Sequence, residues 1–314
     1  MSLKMKKHES IFRHFIIALC LFLSIGCSIK SMAINTIGET FSDGASVFAS
    51  DEDPELVRDA LPFSLKMMEL LLESSPDNSG LLLGACSGFT QYAIAFIASD
   101  AEIAELGDYD YAAADSFNLR ALQFHVRARE YCLRLVELSY PGITERLQLE
   151  PLEAVQEFGV DDIENMYWLG ASWGMAIVLG LHDMSLVADL PVVKALMVRA
   201  LELDGDYNRG ALHGALVTVE SVPEILGGSA ERAREHFERA VELSEGLDAS
   251  PFVSLAVGVS LAEQNKQEFR SLLERALAID SDEDKSIRLL NIVSQRRAAF
   301  LLEHIDELFE EPLD

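Results

Sequence analysis

The chain has 314 residues, of which 49% are hydrophobic, and its 52 acidic side chains outnumber 25 basic ones for a formal net charge of −27. The length allows a large buried core, and the hydrophobic share excludes a disordered chain. The charge, with no basic patch to interrupt it, excludes nucleic acid as a partner and reads as a solvated, soluble surface.

The first predicted element is an export signal. Lys4, Lys6, Lys7 and Arg13 precede the apolar run Phe15–Leu23, which leads through Ser24-Ile25-Gly26 to Cys27. A basic start, a short apolar core and a small residue before the cut make residues 1–26 a secretory signal, too short for a comfortable membrane span. Cys27 directly after Gly26 fits a lipobox, in which the thiol takes a diacylglycerol and becomes the new N-terminus. Ser28 follows it, not the Asp that retains lipoproteins at the inner membrane, so the outer membrane is the expected address. Residues 1–26 hold four basic side chains and Glu9, so the mature chain has 21 basic and 51 acidic residues, a net −30. Such a body is repelled by anionic lipid, and attachment rests on the acyl chains alone. Residues 27–45 read as a tether, polar and without helical period, and 310–314 as a tail.

From Asp53 onward every long segment has helical period, and no alternating strand persists. Asp51-Glu-Asp-Pro54 reads as a helix N-cap with Pro in the first turn, and Pro62 is expected to kink or restart that helix. Residues 108–115 are acidic and aromatic, a loop or helix start. Five stretches end helices alike: 69–77, 134–142, 199–207, 239–247 and 275–283, offset by 65, 65, 40 and 36 residues. The last two intervals approach the 34-residue tetratricopeptide period, and Ala-Leu-Glu-Leu-Asp204 is a typical ending of that repeat's second helix. The expected fold is therefore all-α: stacked tetratricopeptide-like helical hairpins over residues 46–309, an α-solenoid-like bundle held by contacts between neighbours.

Gly80, Gly84 and Gly88 recur at i, i+4 and i+8, and Gly170 and Gly174 repeat that spacing. Each costs about 1 kcal/mol against alanine in a helix interior, so close packing is expected to offset it. The same helices carry Phe89, Tyr92 and Phe96, and Tyr167, Trp168 and Trp173. Each can be core, but beside small residues they are candidates for the walls of an apolar cleft. Trp168 and Trp173 cannot share one narrow stripe, so one is expected to face the core and the other a cavity.

Gly170, Ser172 and Gly174 also spell G-x-S-x-G, the nucleophile elbow of serine esterases. That elbow needs a strand entering and a helix leaving it. Here Asp161 or Asp162 can cap a helix, Asp161 with Glu164 approximates a capping box, and Ser172 falls two to three turns inside that helix, its hydroxyl able to bond a preceding carbonyl. The order Ser172, Asp183, His213 is a weak triad signal, and the match reads as accidental. Seven histidines are scattered without H-E-x-x-H or similar spacing, no C-x-x-C occurs, and no Gly-rich phosphate loop is found, so neither metal nor cofactor is expected. Cys86 and Cys132, the two cysteines left after export and acylation, read as separately buried thiols in preference to a disulfide.

Residues 48–66, Gly88-Phe-Thr-Gln-Tyr-Ala93, Tyr167-Trp-Leu-Gly-Ala-Ser-Trp-Gly174, Asp189-Leu-Pro191 and Arg199-Ala-Leu-Glu-Leu-Asp204 resemble the T-component lipoproteins of tripartite ATP-independent periplasmic (TRAP) transporters. The similarity runs from about Val47 to Glu220 and beyond that rests on the repeat pattern. It implies a periplasmic lipoprotein of helical hairpins that assembles as a homotrimer, partners the transporter's solute-binding protein and carries a hydrophobic channel through each subunit. The expected function is a non-enzymatic adaptor that docks that protein and holds or passes an apolar ligand. The competing expectation is a repeat scaffold for envelope assembly with no small-molecule ligand.

Overall fold

The computed structural model describes residues 45–309. The signal segment, Cys27, the tether up to residue 44 and the tail lie outside the described residues. Among those described, every regular element is helical. Ten helices among the described residues carry the layered packing: α1 Pro54–Ser74, α2 Ser79–Tyr92, α3 Tyr111–Ser139, α4 Ile163–Leu179, α5 Leu190–Leu203, α6 Tyr207–Glu220, α7 Ala230–Leu243, α8 Ser250–Leu255, α9 Lys266–Leu277 and α10 Arg288–Glu303.

Local chemistry sets their ends. Asp53 caps α1 by accepting from the amides of Glu55 and Leu56, and Pro54 fills the first position, where its missing N–H costs nothing. Asp110 caps α3 through the amide of Ala113, after a loop at 108–110. All five repeated endings fall at the C-termini of α1, α3, α5, α7 and α9. Pro62 does not restart α1. The helix continues across it because Val57, Leu65, Met68 and Leu72, on both sides of the proline, bury one continuous face. Nor does Asp162 cap α4 in the expected way. A turn of 3₁₀ helix at Val160–Asp162 precedes that helix, and the carboxylate reaches back to the Gly159 amide at 2.9 Å and the Tyr140 hydroxyl at 2.5 Å.

The helices form two layers. α2, α4, α6, α8 and α10 touch in succession, and each odd-numbered helix packs against two even ones: α3 on α2 and α4, α5 on α4 and α6, α7 on α6 and α8, α9 on α8 and α10. α1 packs on α2 and on α10, so the last even helix is brought back to the beginning. The even helices thus make an inner layer roofed by the odd ones, and the interior divides into three adjoining apolar clusters centred on α1–α3, α3–α6 and α6–α10. One helical run, Ser79–Gly107, is long and apolar enough to cross a membrane, but most of its apolar window is buried within this packing. It contains two π-helical turns, Ala93–Ile97 and Ile103–Gly107, and α8 runs into a third at Ala256–Ser260. Each widens one turn of an inner helix, a device common at functional sites.

Candidate functional site in the inner helical layer

Four of the six aromatic candidates are core residues. Phe89, Tyr92 and Phe96 share one side of α2 and its continuation, and that side faces α3: Phe89 meets Phe124 edge-on at 5.3 Å and Tyr131 at 6.0 Å, and Tyr92 lies 5.9 Å from Phe124. Arg127 covers the Phe89 ring at 5.3 Å. Trp173 is buried between Arg129, 5.1 Å above its ring, and Asp189, which accepts its indole N–H at 3.1 Å. These rings pack between layers and cannot line a cleft, because the odd helices occupy the space in front of them.

Tyr167 and Trp168 are placed differently. They contact one another at 4.8 Å, Tyr207 of α6 lies 5.9 Å from Tyr167, and all three keep accessible surface. Burial, with Tyr207 and Asp248 nearby, pushes the Tyr167 hydroxyl well above its ordinary range. Burial likewise raises the Asp248 carboxyl, although the Ser250 amide donates to it at 2.8 Å, and pushes Tyr207 up to about 12. Tyr167, Trp168 and Tyr207 thus pack against the core cluster of α3–α6 while each keeps part of its surface accessible.

From Trp168 an apolar stripe continues along α4 through Ala171, Met175 and Val178, at the spacing of one helical face, and each is partly accessible. Leu83 on α2, Ala211 and Ala215 on α6, and Val257 beyond α8 show the same combination of apolar character and partial accessibility, and Ile94, in the π turn after α2, is exposed. The opposite faces of these helices are fully buried, which explains why they are apolar all round. The site therefore has an apolar wall and, near Tyr167, a polar end of two phenols and one carboxyl.

The predicted small residues bring the layers together. A β-carbon on Gly88 would lie 2.7 Å from Leu65 Cδ2, one on Gly84 3.2 Å from Met68 Sδ, one on Gly170 2.7 Å from Met197 Cε, and one on Gly174 3.2 Å from Val219 Cγ2. Gly80 sits half-buried in the first turn of α2. Sequence spacing missed Gly210, where φ is +95° and a β-carbon would meet the Ala240 backbone at 3.2 Å. It follows Asn208 and Arg209, also left-handed at φ 42° and 55°, in a turn that delivers Tyr207 to the site. Arg209 pins the turn by donating to the Ser244 carbonyl at 3.1 Å and pairing with Asp284.

Ser172 is fully buried inside α4, donating to the Leu169 carbonyl at 3.0 Å, so the elbow geometry is not formed. The two cysteines are not separate thiols. Cys86 of α2 and Cys132 of α3 face one another with Cα atoms 5.3 Å apart and form a disulfide. The close packing of α2 on α3 sets that distance, which the linear spacing of 46 residues does not encode.

A second apolar feature lies on the outer surface. A cleft of about 760 Å³ is lined by Pro151, Leu152, Val187, Leu190, Ala195 and Val198, with Glu150, Glu153 and Lys194 among the polar groups in its lining. Leu152 is 74% exposed beside it, and Ile225 next to the lining residue Leu226 is 93% exposed.

The fold and site define an all-helical, two-layered protein whose inner helices offer accessible apolar surface. The chain belongs to the TRAP transporter T-component family, whose sequence model matches residues 50–309, well past the Glu220 limit of the resemblance. It is also 28% identical over 314 residues to an uncharacterized protein of Treponema pallidum (strain Nichols), with 94% of this chain and 96% of the relative covered. The family is a component of transport systems and is envelope-associated.

Proposed function

We propose that this protein is the ligand-receiving adaptor of a TRAP-type transport system, a periplasmic lipoprotein held to the outer membrane by acyl chains on Cys27. It binds an elongated apolar ligand with a polar end along the inner helical layer and exchanges it with the solute-binding protein. The observation that carries this reading is the stripe Trp168, Ala171, Met175 and Val178 next to Tyr167, Tyr207 and Asp248: apolar side chains of one helical face that stay partly accessible, with hydrogen-bonding groups at one end. The Cys86–Cys132 disulfide fits an oxidising compartment. Alternating inner and outer helices with repeated endings support a tetratricopeptide-like arrangement, and the cleft flanked by Leu152 and Ile225 supports docking of another protein and favours an adaptor over a ligand-free scaffold. A homotrimer is the assembly we assign to it.

Titration with 1-anilinonaphthalene-8-sulfonate, an apolar probe with one polar end, tests the site. Trp168→Ala and Met175→Glu are expected to weaken probe binding at least roughly tenfold while circular dichroism stays native. Unchanged binding in both folded variants overturns the reading. Native mass spectrometry of the membrane-extracted protein tests the assembly, and a lone subunit without a solute-binding protein would refute it.

A further inference from the structure

We propose that His213 and His236 form a binding site for a divalent transition-metal ion that bridges α6 and α7. The two residues are 23 apart in sequence, but their Nδ1 atoms lie 2.9 Å apart with ring centroids at 5.1 Å. An ion 2.0–2.1 Å from each nitrogen, the ordinary metal–imidazole distance, would subtend about 90° at this separation. That is the cis angle of square-planar and octahedral sites, so the preformed edge suits Cu²⁺ and Ni²⁺. Tetrahedral Zn²⁺ needs the nitrogens to spread to about 3.3 Å.

The surroundings favour such an ion. Both rings are half-buried, and burial holds both below the ordinary histidine range, so they are neutral and ready as ligands at pH 7. The proton now shared between the Nδ1 atoms can pass through solvent to the Nε2 of its own ring, so metal entry requires no net proton loss. The charged groups acting on the pair are Asp206 and Arg239 around His213, and Glu220, Glu235, Arg232 and Lys194 around His236. Arg239 is paired with Asp206 and Glu242, and Arg232 and Lys194 share Glu220, so each cation already has a carboxylate partner. Among the described residues no set of three His, Cys, Asp or Glu side chains is gathered, so the other coordination positions belong to water or to an incoming donor.

The full chain, disulfide intact, is titrated with Cu²⁺, Ni²⁺ and Zn²⁺ at pH 7. The expected result is one Cu²⁺ per chain bound tighter than Ni²⁺ or Zn²⁺, an electron paramagnetic resonance spectrum with hyperfine structure from two nitrogens, and a raised melting temperature. His213→Asn and His236→Asn are each expected to lose at least roughly tenfold in affinity, while His182→Asn keeps the wild-type value. Wild-type binding matched by either pair variant, or a copper spectrum without two equivalent nitrogens, overturns the proposal. The spectrum is read on the wild-type protein, so it decides the question even where a variant does not fold.

Discussion

Arg297 of α10 grips the carboxylate of Glu102, which stands between the two π turns that follow α2, donating from Nε to its two oxygens at 3.0 and 2.8 Å across 195 residues of sequence. Arg288–Glu52 and Arg296–Glu55, both 2.8 Å, span the same seam, as does the bond from the Tyr109 hydroxyl to Glu307 at 2.9 Å. These contacts tie the end of the helical array to its beginning. Exposed pairs of this kind contribute little, roughly 0–1 kcal/mol, whereas a partly buried, doubly bonded arginine contributes more.

Arg297→Met is therefore expected to cost roughly 1–3 kcal/mol, because Glu102 is left two-thirds or more covered without a partner. The double variant Arg297→Met, Glu102→Met should recover part of the loss. Urea unfolding of the two variants measures this, and additive losses would mean that the two side chains do not act as a pair.

The disulfide closes a loop of 46 residues, for which chain entropy gives about 4 kcal/mol at 25 °C. Reduction, or the pair Cys86→Ala and Cys132→Ala, should lower the urea midpoint accordingly. A midpoint indifferent to reductant would show that the two thiols are not joined.

His125 is 1% exposed on α3, and its Nδ1 has no hydrogen-bond partner among the described residues. Burial lowers it from 6.5 to about 4. Between those values the unfolded chain binds a proton that the folded one refuses, so stability is intact above pH 6.5 and declines as the pH falls toward 4, by roughly 3 kcal/mol in all. His125→Leu should flatten the melting temperature between pH 7 and pH 4.5. An undiminished slope would place the acid sensitivity elsewhere.

The glycines should respond in two ways. At Gly170 the obstacle to a β-carbon is the mobile methyl end of Met197, and alanine gains about 1 kcal/mol of helix propensity, so Gly170→Ala is expected to stay within about 1 kcal/mol of wild type. Gly170→Glu, burying a charge, should lower the melting temperature sharply. Gly210→Ala meets backbone and a positive φ together, and should cost roughly 2–4 kcal/mol. Calorimetry of the three variants checks the order.

Much of the fold is legible one residue at a time. The Asp53 cap, the helix start near Tyr111 and the five repeated endings depend on groups within a few residues of one another, and hydrogen-bond reach along a chain is written in the sequence. Ser172 inside a helix followed from the same local logic. The site was only partly legible. Tyr167 and Trp168 were named, but so were Phe89, Tyr92, Phe96 and Trp173, because an aromatic beside a small residue has one pattern whether another helix or open space lies in front of it. Tyr207, Asp248, Arg297 and His236 carried no signal, each meeting its partner across a different helix.

The sequence by itself determined that the chain is helical, where its helices end and which faces are apolar, since propensity, capping and period act within one or two turns. The tertiary structure alone decided the rest: the return of α10 to α1 and to the turns that follow α2, the union of Cys86 with Cys132, the meeting of His213 with His236, and the division of apolar faces into packed and accessible. Those depend on how far layers approach and at what rotation. Side chains such as Leu65 and Met197 set that by filling the space above a missing β-carbon, and no spacing along the chain records it.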